Sequence, residues 1–171
     1  MSDNTKILVR NAREQDLSAV AEIYVEARSP YGTAEKPDTY LRRLMAFPNG
    51  FVILVAENEI AAFGCSEKRL TERESGVDKN PLATHEPDGR IFCITALAVK
   101  PKYQSRGYGL VVLDKLIETA HNEGCRKVLL ETIGAQDLYL QRGFEVVQNR
   151  TEGGASLAVM ALEIESYGGK A

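Results

Sequence analysis

At 171 residues, with 44% hydrophobic and 26% charged side chains, the chain is long enough for one globular domain that buries roughly two thirds of its unfolded surface. A net charge of -3 gives no basis for nonspecific nucleic-acid binding, no apolar run nears the length of a bilayer crossing, and no signal peptide is visible. The three cysteines, Cys65, Cys93 and Cys125, are odd in number, widely spaced and matched by no histidine ligand pattern, which argues against a disulfide framework or zinc site and for reduced thiols in the cytoplasm.

In chain order, Ile7-Leu8-Val9-Arg10 predicts a first strand. Asp16 is placed to N-cap a helix from Leu17 to about Ala27, with Leu17, Val20, Ala21, Tyr24 and Val25 facing inward. Ser29-Pro30-Tyr31-Gly32 breaks that helix. Asp38 can cap a short second one carrying Leu41, Leu44 and Met45, which ends at Pro48-Asn49-Gly50. Phe51 to Ala56 and Ile60 to Ser66 read as a hairpin turning at Glu57-Asn58-Glu59. Lys68 to Arg90 is polar and mixed in charge, and a loop of that length in a compact domain is usually functional or disordered.

Ile91 to Val99 is an apolar, β-branched run, the pattern of a strand buried on both faces, and Pro101 closes it. From Leu110 a helical period takes over, with Leu110, Val111, Leu113, Leu116, Ile117 and Ala120 on one stripe. Between them lies Gln104-Ser105-Arg106-Gly107-Tyr108-Gly109. Its glycines let the backbone turn tightly and aim successive N–H groups at one point. The helix N-terminus behind adds unpaired N–H groups and partial positive charge, which together suit a phosphate or pyrophosphate. An ordinary strand-to-helix turn is the other reading of these six residues. A dinucleotide fingerprint fits poorly, because it wants glycine where Val112 stands and a tighter turn after the strand. A P-loop is excluded, since no Gly-Lys-Ser/Thr follows.

Downstream, Lys127 to Thr132 predicts a strand, Ala135 to Arg142 a short helix, and Phe144 to Val147 with Leu157 to Ile164 a final hairpin across Thr151-Glu152-Gly153-Gly154. Residues 166–171 are expected to fray beyond one domain spanning 1–165. The order β-α-α-β-β-β-α-β-α-β-β gives an α/β (α+β) fold with a mixed, mostly antiparallel sheet and one crossover, from the Ile91 strand to the Lys127 strand.

Leu97-Ala98-Val99 followed by Gln104 to Gly109 resembles the pyrophosphate loop of the GNAT superfamily of acyl-CoA-dependent N-acyltransferases, Gln/Arg-x-x-Gly-x-Gly/Ala behind an apolar-Ala-Val strand end. Ala135-x-x-Leu138-Tyr139-x-x-x-Gly143-Phe144 is similar to that family's helix-to-strand signature, in the right order and at the right separation. With a weaker N-terminal match, the resemblance covers nearly the whole chain. It implies a sheet flanked by helices and splayed between its two parallel strands, often beside a β-bulge, so that the pantetheine arm of acetyl-CoA can enter. It further implies cofactor contacts at Leu97, Ala98 and Val99, with the pantetheine pairing to backbone of Leu97 and Val99. The pyrophosphate would lie on N–H groups of Gln104, Ser105, Arg106, Gly107, Tyr108 and Gly109. Arg106 and Lys102 would add positive charge, and a central-strand N–H would serve as oxyanion donor. No metal is implied. One position departs from the pattern: Thr132 stands where the family often has an asparagine that contacts the cofactor.

The family's motif places a general acid at Tyr139, whose other role would be plain packing against the sheet. A departing thiolate, with thiol pKa near ~8.5, can take a proton from a hydroxyl of pKa ~10 at little cost. A lysine-like amine of pKa ~10.4 must lose a proton before attacking, which at pH 7 costs about 4–5 kcal/mol, whereas an α-amino group of pKa ~8 costs only about 1 kcal/mol. A base is therefore essential for the first kind of acceptor. Glu131 is the candidate, directly or through a water relay, with Glu67 second; each is otherwise a strand carboxylate. His85, His121 and Cys93 have no spacing that argues for chemistry.

The sequence thus reads as a cytoplasmic N-acetyltransferase that moves an acetyl group from acetyl-CoA to a primary amine, small-molecule or peptide, by direct attack in a ternary complex. The alternative is a non-catalytic CoA-binding sensor or scaffold of the same fold. Neither reading involves nucleic acid or membrane. Homodimerisation, acceptor identity and acyl-chain length stay open.

Overall fold

A computed structural model describes residues 6–28, 37–72, 80–152 and 154–164 of the chain. The helix break at Ser29 to Gly32 and the frayed tail at 166–171 lie outside the described residues. Seven strands form one sheet: β1 (Ile7–Asn11), β2 (Val52–Ala56), β3 (Glu59–Arg69), β4 (Ile91–Val99), β5 (Lys127–Thr132), β6 (Glu145–Glu152) and β7 (Ala155–Glu163), in the order β1-β2-β3-β4-β5-β7-β6. Neighbours are antiparallel except β4 and β5, which run parallel. The helices are α1 (Leu17–Arg28), α2 (Pro37–Ala46), α3 (Pro81–Thr84), α4 (Tyr108–Asn122) and α5 (Gln136–Leu140). No helix among the described residues is long and apolar enough to cross a membrane.

The β2–β3 hairpin turns on two residues, Glu57 and Asn58, with φ of 51° and 64°. Such a two-residue turn matches the twist of the flanking strands, and asparagine tolerates the left-handed conformation it requires. β3 then runs past its expected end at Ser66 to Arg69, because its partner β4 begins at Ile91, opposite Arg69. The loop expected over Lys68–Arg90 is therefore shorter than its composition suggests, and it carries the short α3.

Two other local expectations change. Asp16 does not cap α1; it ends a 3-10 turn at Glu14–Asp16, where its carboxylate accepts from the Arg13 N–H at 2.7 Å and from the Arg10 guanidinium at 2.8 and 3.0 Å. A guanidinium within bidentate reach outcompetes the helix N–H groups for that carboxylate. Val25 is 55% exposed, while Ile23, on the other side of the 3.6-residue period from it, is buried.

Strand register fixes which side chains share a face. Phe63, Cys65, Glu67 and Arg69 of β3 stand opposite Ala98, Ala96, Cys93 and Ile91 of β4, and this face packs under α1 and α2 in the β2–β4 half. The other face, with Ala62, Gly64, Phe92, Ile94, Val128 and Leu130, packs under α4 through Val112, Leu113 and Leu116, all fully buried. Gly64 makes that approach possible: a Cβ there would lie 2.7 Å from Leu116 Cδ1 and 2.9 Å from Val112 Cγ1.

Candidate active site

β4 and β5 pair only from Ile91↔Lys127 to Ile94↔Leu130. Beyond that point β4 continues to Val99 and β5 to Thr132 without pairing to each other, so the sheet opens. The cause lies on the other edge of β4. Cys65 pairs with Ala96 and Ser66 with Ile94, leaving Thr95 as an extra residue. That bulge bends β4 away and shifts its alternation, so that Ala96 and Ala98 fall on the face of Cys93 while Leu97 and Val99 join the α4 face. Thr95 Oγ1 and Cys65 Sγ are 3.3 Å apart at the bulge. The expected splay and bulge are both present.

At the open end, Pro101–Tyr103 forms a 3-10 turn leading to the loop before α4. Ser105 and Gly107 adopt left-handed φ of 68° and 84°. Gly107 is the N-cap of α4 and supplies no side-chain cap, so the N–H groups of the first helical turn, from Tyr108 onward, face outward toward any arriving anion. Gly109 packs beneath against Val99 and Leu138, which brings α5 to the helix start. Gln104 holds the loop to the strand: its N–H donates to the Pro101 carbonyl at 3.2 Å and its Nε2 to the Val99 carbonyl at 3.2 Å.

The cations here have local counter-ions. Arg106 meets Glu57 at 3.2 Å, and Lys100 and Lys102 meet Glu59 at 2.8 and 2.6 Å. Tyr103 also donates its hydroxyl to Glu59 at 2.7 Å. Lys100 first, then Lys102 and Tyr103, hold the Glu59 carboxyl down at about 2. The hairpin turn thus keeps Lys102 and Arg106 beside the loop, both within cation–π range of the Tyr103 ring at 5.0 and 5.2 Å.

Tyr139 lies in the last turn of α5, buried on the α4 face, its ring edge-on to Phe144 at 5.7 Å between centroids. Thr132, the departure from the family pattern, is buried on that same face, in line with Leu130 and Val128.

The two carboxylates considered as base lie on the opposite face. Glu131 is the first β5 residue beyond the paired segment, in line with Leu129 and opposite Val159 of β7. Arg150 of β6, opposite Leu157, reaches across β7 to it: Nη2 stands 2.8 and 3.2 Å from the two carboxylate oxygens. Glu67 is far more enclosed, 3% exposed, with Arg69 Nε at 2.6 Å, the Thr84 hydroxyl donating at 2.8 Å and Arg43 at 3.5 Å. That carboxylate ties α2, α3 and β3 together, and its oxygens are taken up by these partners. His85 is likewise structural: it stacks on Phe47 at 4.8 Å, and its Nδ1 accepts the Lys68 N–H at 3.0 Å. Cys65, Cys93 and Cys125 are buried, and burial pushes the Cys125 thiol up to about 11. Among the described residues no three His, Cys, Asp or Glu side chains gather as a metal site.

Sequence reasoning missed Thr95, Arg150 and the acidic pair Glu57 and Glu59. The apolar run of β4 contains no mark of its bulge. Arg150 carried no periodic signal, because Gln148 to Glu152 is polar at every position.

A sheet that opens between the one parallel pair among its described strands, beside a bulge and in front of an uncapped helix, defines a GNAT-type fold. The sequence profile of the Acetyltransferase (GNAT) family matches residues 17–144, and the chain belongs to that family. No curated protein sequence matches it. Among solved structures it is similar to the ribosomal-protein-S18-alanine N-acetyltransferase from Escherichia coli, at 20% identity and a TM-score of 0.68 over 93% of this chain and 94% of that one. It is also similar to yncA, a putative acetyltransferase from Salmonella typhimurium with its cofactor acetyl-CoA, at 17% identity and a TM-score of 0.71 over 94% and 95%. The GphF GNAT-like decarboxylase in complex with isobutyryl-CoA superposes at a TM-score of 0.80 and 15% identity over 91% and 98%. At these identities the likenesses speak for the fold.

Proposed function

We propose that this chain is a cytoplasmic N-acetyltransferase, a single domain reaching to about residue 165, that transfers the acetyl group of acetyl-CoA to a primary amine by direct attack in a ternary complex. The observation that carries the reading is the gap between β4 and β5 past Ile94 and Leu130, opening beside the left-handed Gly107 and the uncapped N-terminus of α4. These residues fit acetyl-CoA. The helix N-terminus and the N–H groups of the loop from Gln104 to Gly109 would hold the pyrophosphate, and the β4 backbone at Leu97, Ala98 and Val99 would take the pantetheine as an added strand.

The bound cosubstrate supplies an activated acetyl carbonyl. A β4 N–H at the gap stabilises negative charge developing on that carbonyl oxygen. Glu131 accepts a proton from the acceptor's ammonium, leaving a nitrogen lone pair to form the new N–C bond. Tyr139 donates its hydroxyl proton to the sulfur as the C–S bond breaks, and the second proton, released from nitrogen once the N–C bond has formed, restores that hydroxyl. The three buried thiols suit a reducing compartment.

The test is release of free thiol from acetyl-CoA by the purified chain over a panel of amines, polyamines, amino acids and peptides, with acetylated product identified by mass spectrometry. Turnover of at least one amine upholds the reading. CoA binding without turnover of any amine would instead support the sensor or scaffold role.

A further inference from the structure

The face of the sheet away from α4 carries two carboxylate–guanidinium pairs, and they differ in kind. Glu67 with Arg69 is closed off, with side chains 3% and 5% exposed. Glu131 with Arg150 lies at the mouth, 18% and 15% exposed, over the apolar surface of Leu129, Leu157 and Val159. This second pair joins β5 to β6 across the intervening β7, a span of roughly 10 Å between the outer strands. It uses a single guanidinium nitrogen, Nη2, for both carboxylate oxygens. Neither pair forms a parallel two-nitrogen fork, the stronger arrangement, and the Glu131–Arg150 pair, being the more exposed, is the more easily exchanged of the two.

Arg150 Nη2 occupies both carboxylate oxygens of Glu131, so an incoming ammonium must displace it to reach them. An acceptor that supplied its own anion would draw Arg150 away and leave Glu131 to the incoming ammonium. We infer that the acceptor is a small zwitterion, with a carboxylate close to its amine as in a free α-amino acid, and that Arg150 is the specificity-determining residue that receives this carboxylate in exchange for Glu131. The inference rests on the reading of Glu131 as the base. The reaction balances as before: the acceptor nitrogen bonds to the acetyl carbon, the C–S bond breaks, one ammonium proton goes to Glu131, the thiolate gains a proton from Tyr139, and the second nitrogen proton, lost once the N–C bond has formed, restores the Tyr139 hydroxyl. The substrate carboxylate keeps its charge throughout. The low-polarity surface beneath the pair strengthens the new contact.

The experiment compares each of several L-amino acids (phenylalanine, lysine, glutamate) with its carboxamide and its decarboxylated amine in the free-thiol assay. The amine of an amino-acid amide loses its proton more readily than that of the free acid, so intrinsic reactivity favours the amides and cannot mimic the expected result. Wild type is expected to prefer the free acids at least tenfold in kcat/KM. Arg150→Gln should bring the acid-to-amide ratio close to one, and Arg150→Lys, which keeps the charge should the first variant fold poorly, should retain most of it. Amides used as well as acids by wild type, or an unchanged ratio in folded Arg150→Gln, would overturn the inference. Glu131→Gln separates the two claims: full activity with the acid preference intact refutes the base and leaves the role of Arg150 standing. If no probe is turned over, thermal shifts of the CoA-loaded protein with N-acetyl-amino acids and their amides decide. A stabilisation specific to the acids and lost in Arg150→Gln supports Arg150, and equal or absent shifts for the acids refute it.

Discussion

On the α4 side of the gap between β4 and β5 the candidate site is made of backbone, from the N–H groups of one loop and one helix start within Gln104 to Gly109. On the opposite side it is made of side chains, Glu131 with Arg150 and Glu67 with Arg69 and Arg43, drawn from three strands and a helix. The first kind of site needs only local conformation, left-handed φ at Ser105 and Gly107 and a helix that lacks a side-chain cap. Its ligand is recognised by shape and charge, and many side chains around it can vary. The second kind depends on register. A one-residue slip of β5 or β6 would send Glu131 or Arg150 to the other face. On the proposed roles, cofactor and acceptor specificity in this chain would rest on different structural foundations and could be damaged separately.

The sharpest break should come at Gly107. A Cβ there meets nothing within 4 Å, so the side chain of Gly107→Glu fits, and the left-handed φ costs only about 1–2 kcal/mol. A carboxylate about 4 Å from the pyrophosphate at an effective dielectric near 20 repels it by about 4 kcal/mol, close to a thousandfold in Kd. Calorimetry on the folded variant should show CoA binding all but lost; an unchanged Kd would refute the loop as the anion site.

Tyr139→Phe keeps the ring against Phe144 and removes only the hydroxyl. If that hydroxyl protonates the leaving thiolate, kcat should fall by ~10², the low end for general acid catalysis because a thiolate already leaves fairly well, while CoA affinity holds. Wild-type kcat from pH 6 to 10 would return Tyr139 to packing alone.

Gly64→Ala addresses the support under the backbone site. Val112 and Leu116 are fully buried and must shift for the new methyl, which should cost about 1–3 kcal/mol in denaturant unfolding. CoA affinity of the folded fraction should stay near wild type, because the helix start lies one to two turns from the contact.

The smallest effect concerns His85, at the far end of β3. Burial first, then the neighbouring Lys68, holds its imidazole below the usual 6.5, against the opposing pull of Glu67, Glu123 and Glu86. The folded state therefore binds fewer protons than the unfolded chain as pH falls below about 6.5, so stability is full above that pH and declines toward the lowered folded value. Protonation of Nδ1 would also abolish its acceptance of the Lys68 N–H. His85→Gln should flatten this part of the curve of Tm against pH between 5 and 7, and an unaltered slope would assign the acid sensitivity elsewhere.

The sequence by itself determined the order of the strands, the parallel crossover and the glycine loop before α4, because each is written in contiguous residues: an apolar run, two glycines, then a helical stripe from Leu110 to Ala120. It also marked Tyr139 and Glu131 as residues to examine, the first through a motif resemblance. It left Asp16 to a false cap, because the competing guanidinium of Arg10 is a tertiary partner within a short stretch. Only the folded structure decided where the sheet opens. The bulge at Thr95 follows from how β4 pairs with β3, and nothing in an uninterrupted apolar strand records a partner's register. The same holds for the charges. Arg150 and Glu131 lie 19 residues apart, and Glu67 and Arg43 belong to different elements. Their pairing was set by strand order, which depends on long-range burial that local pattern does not encode.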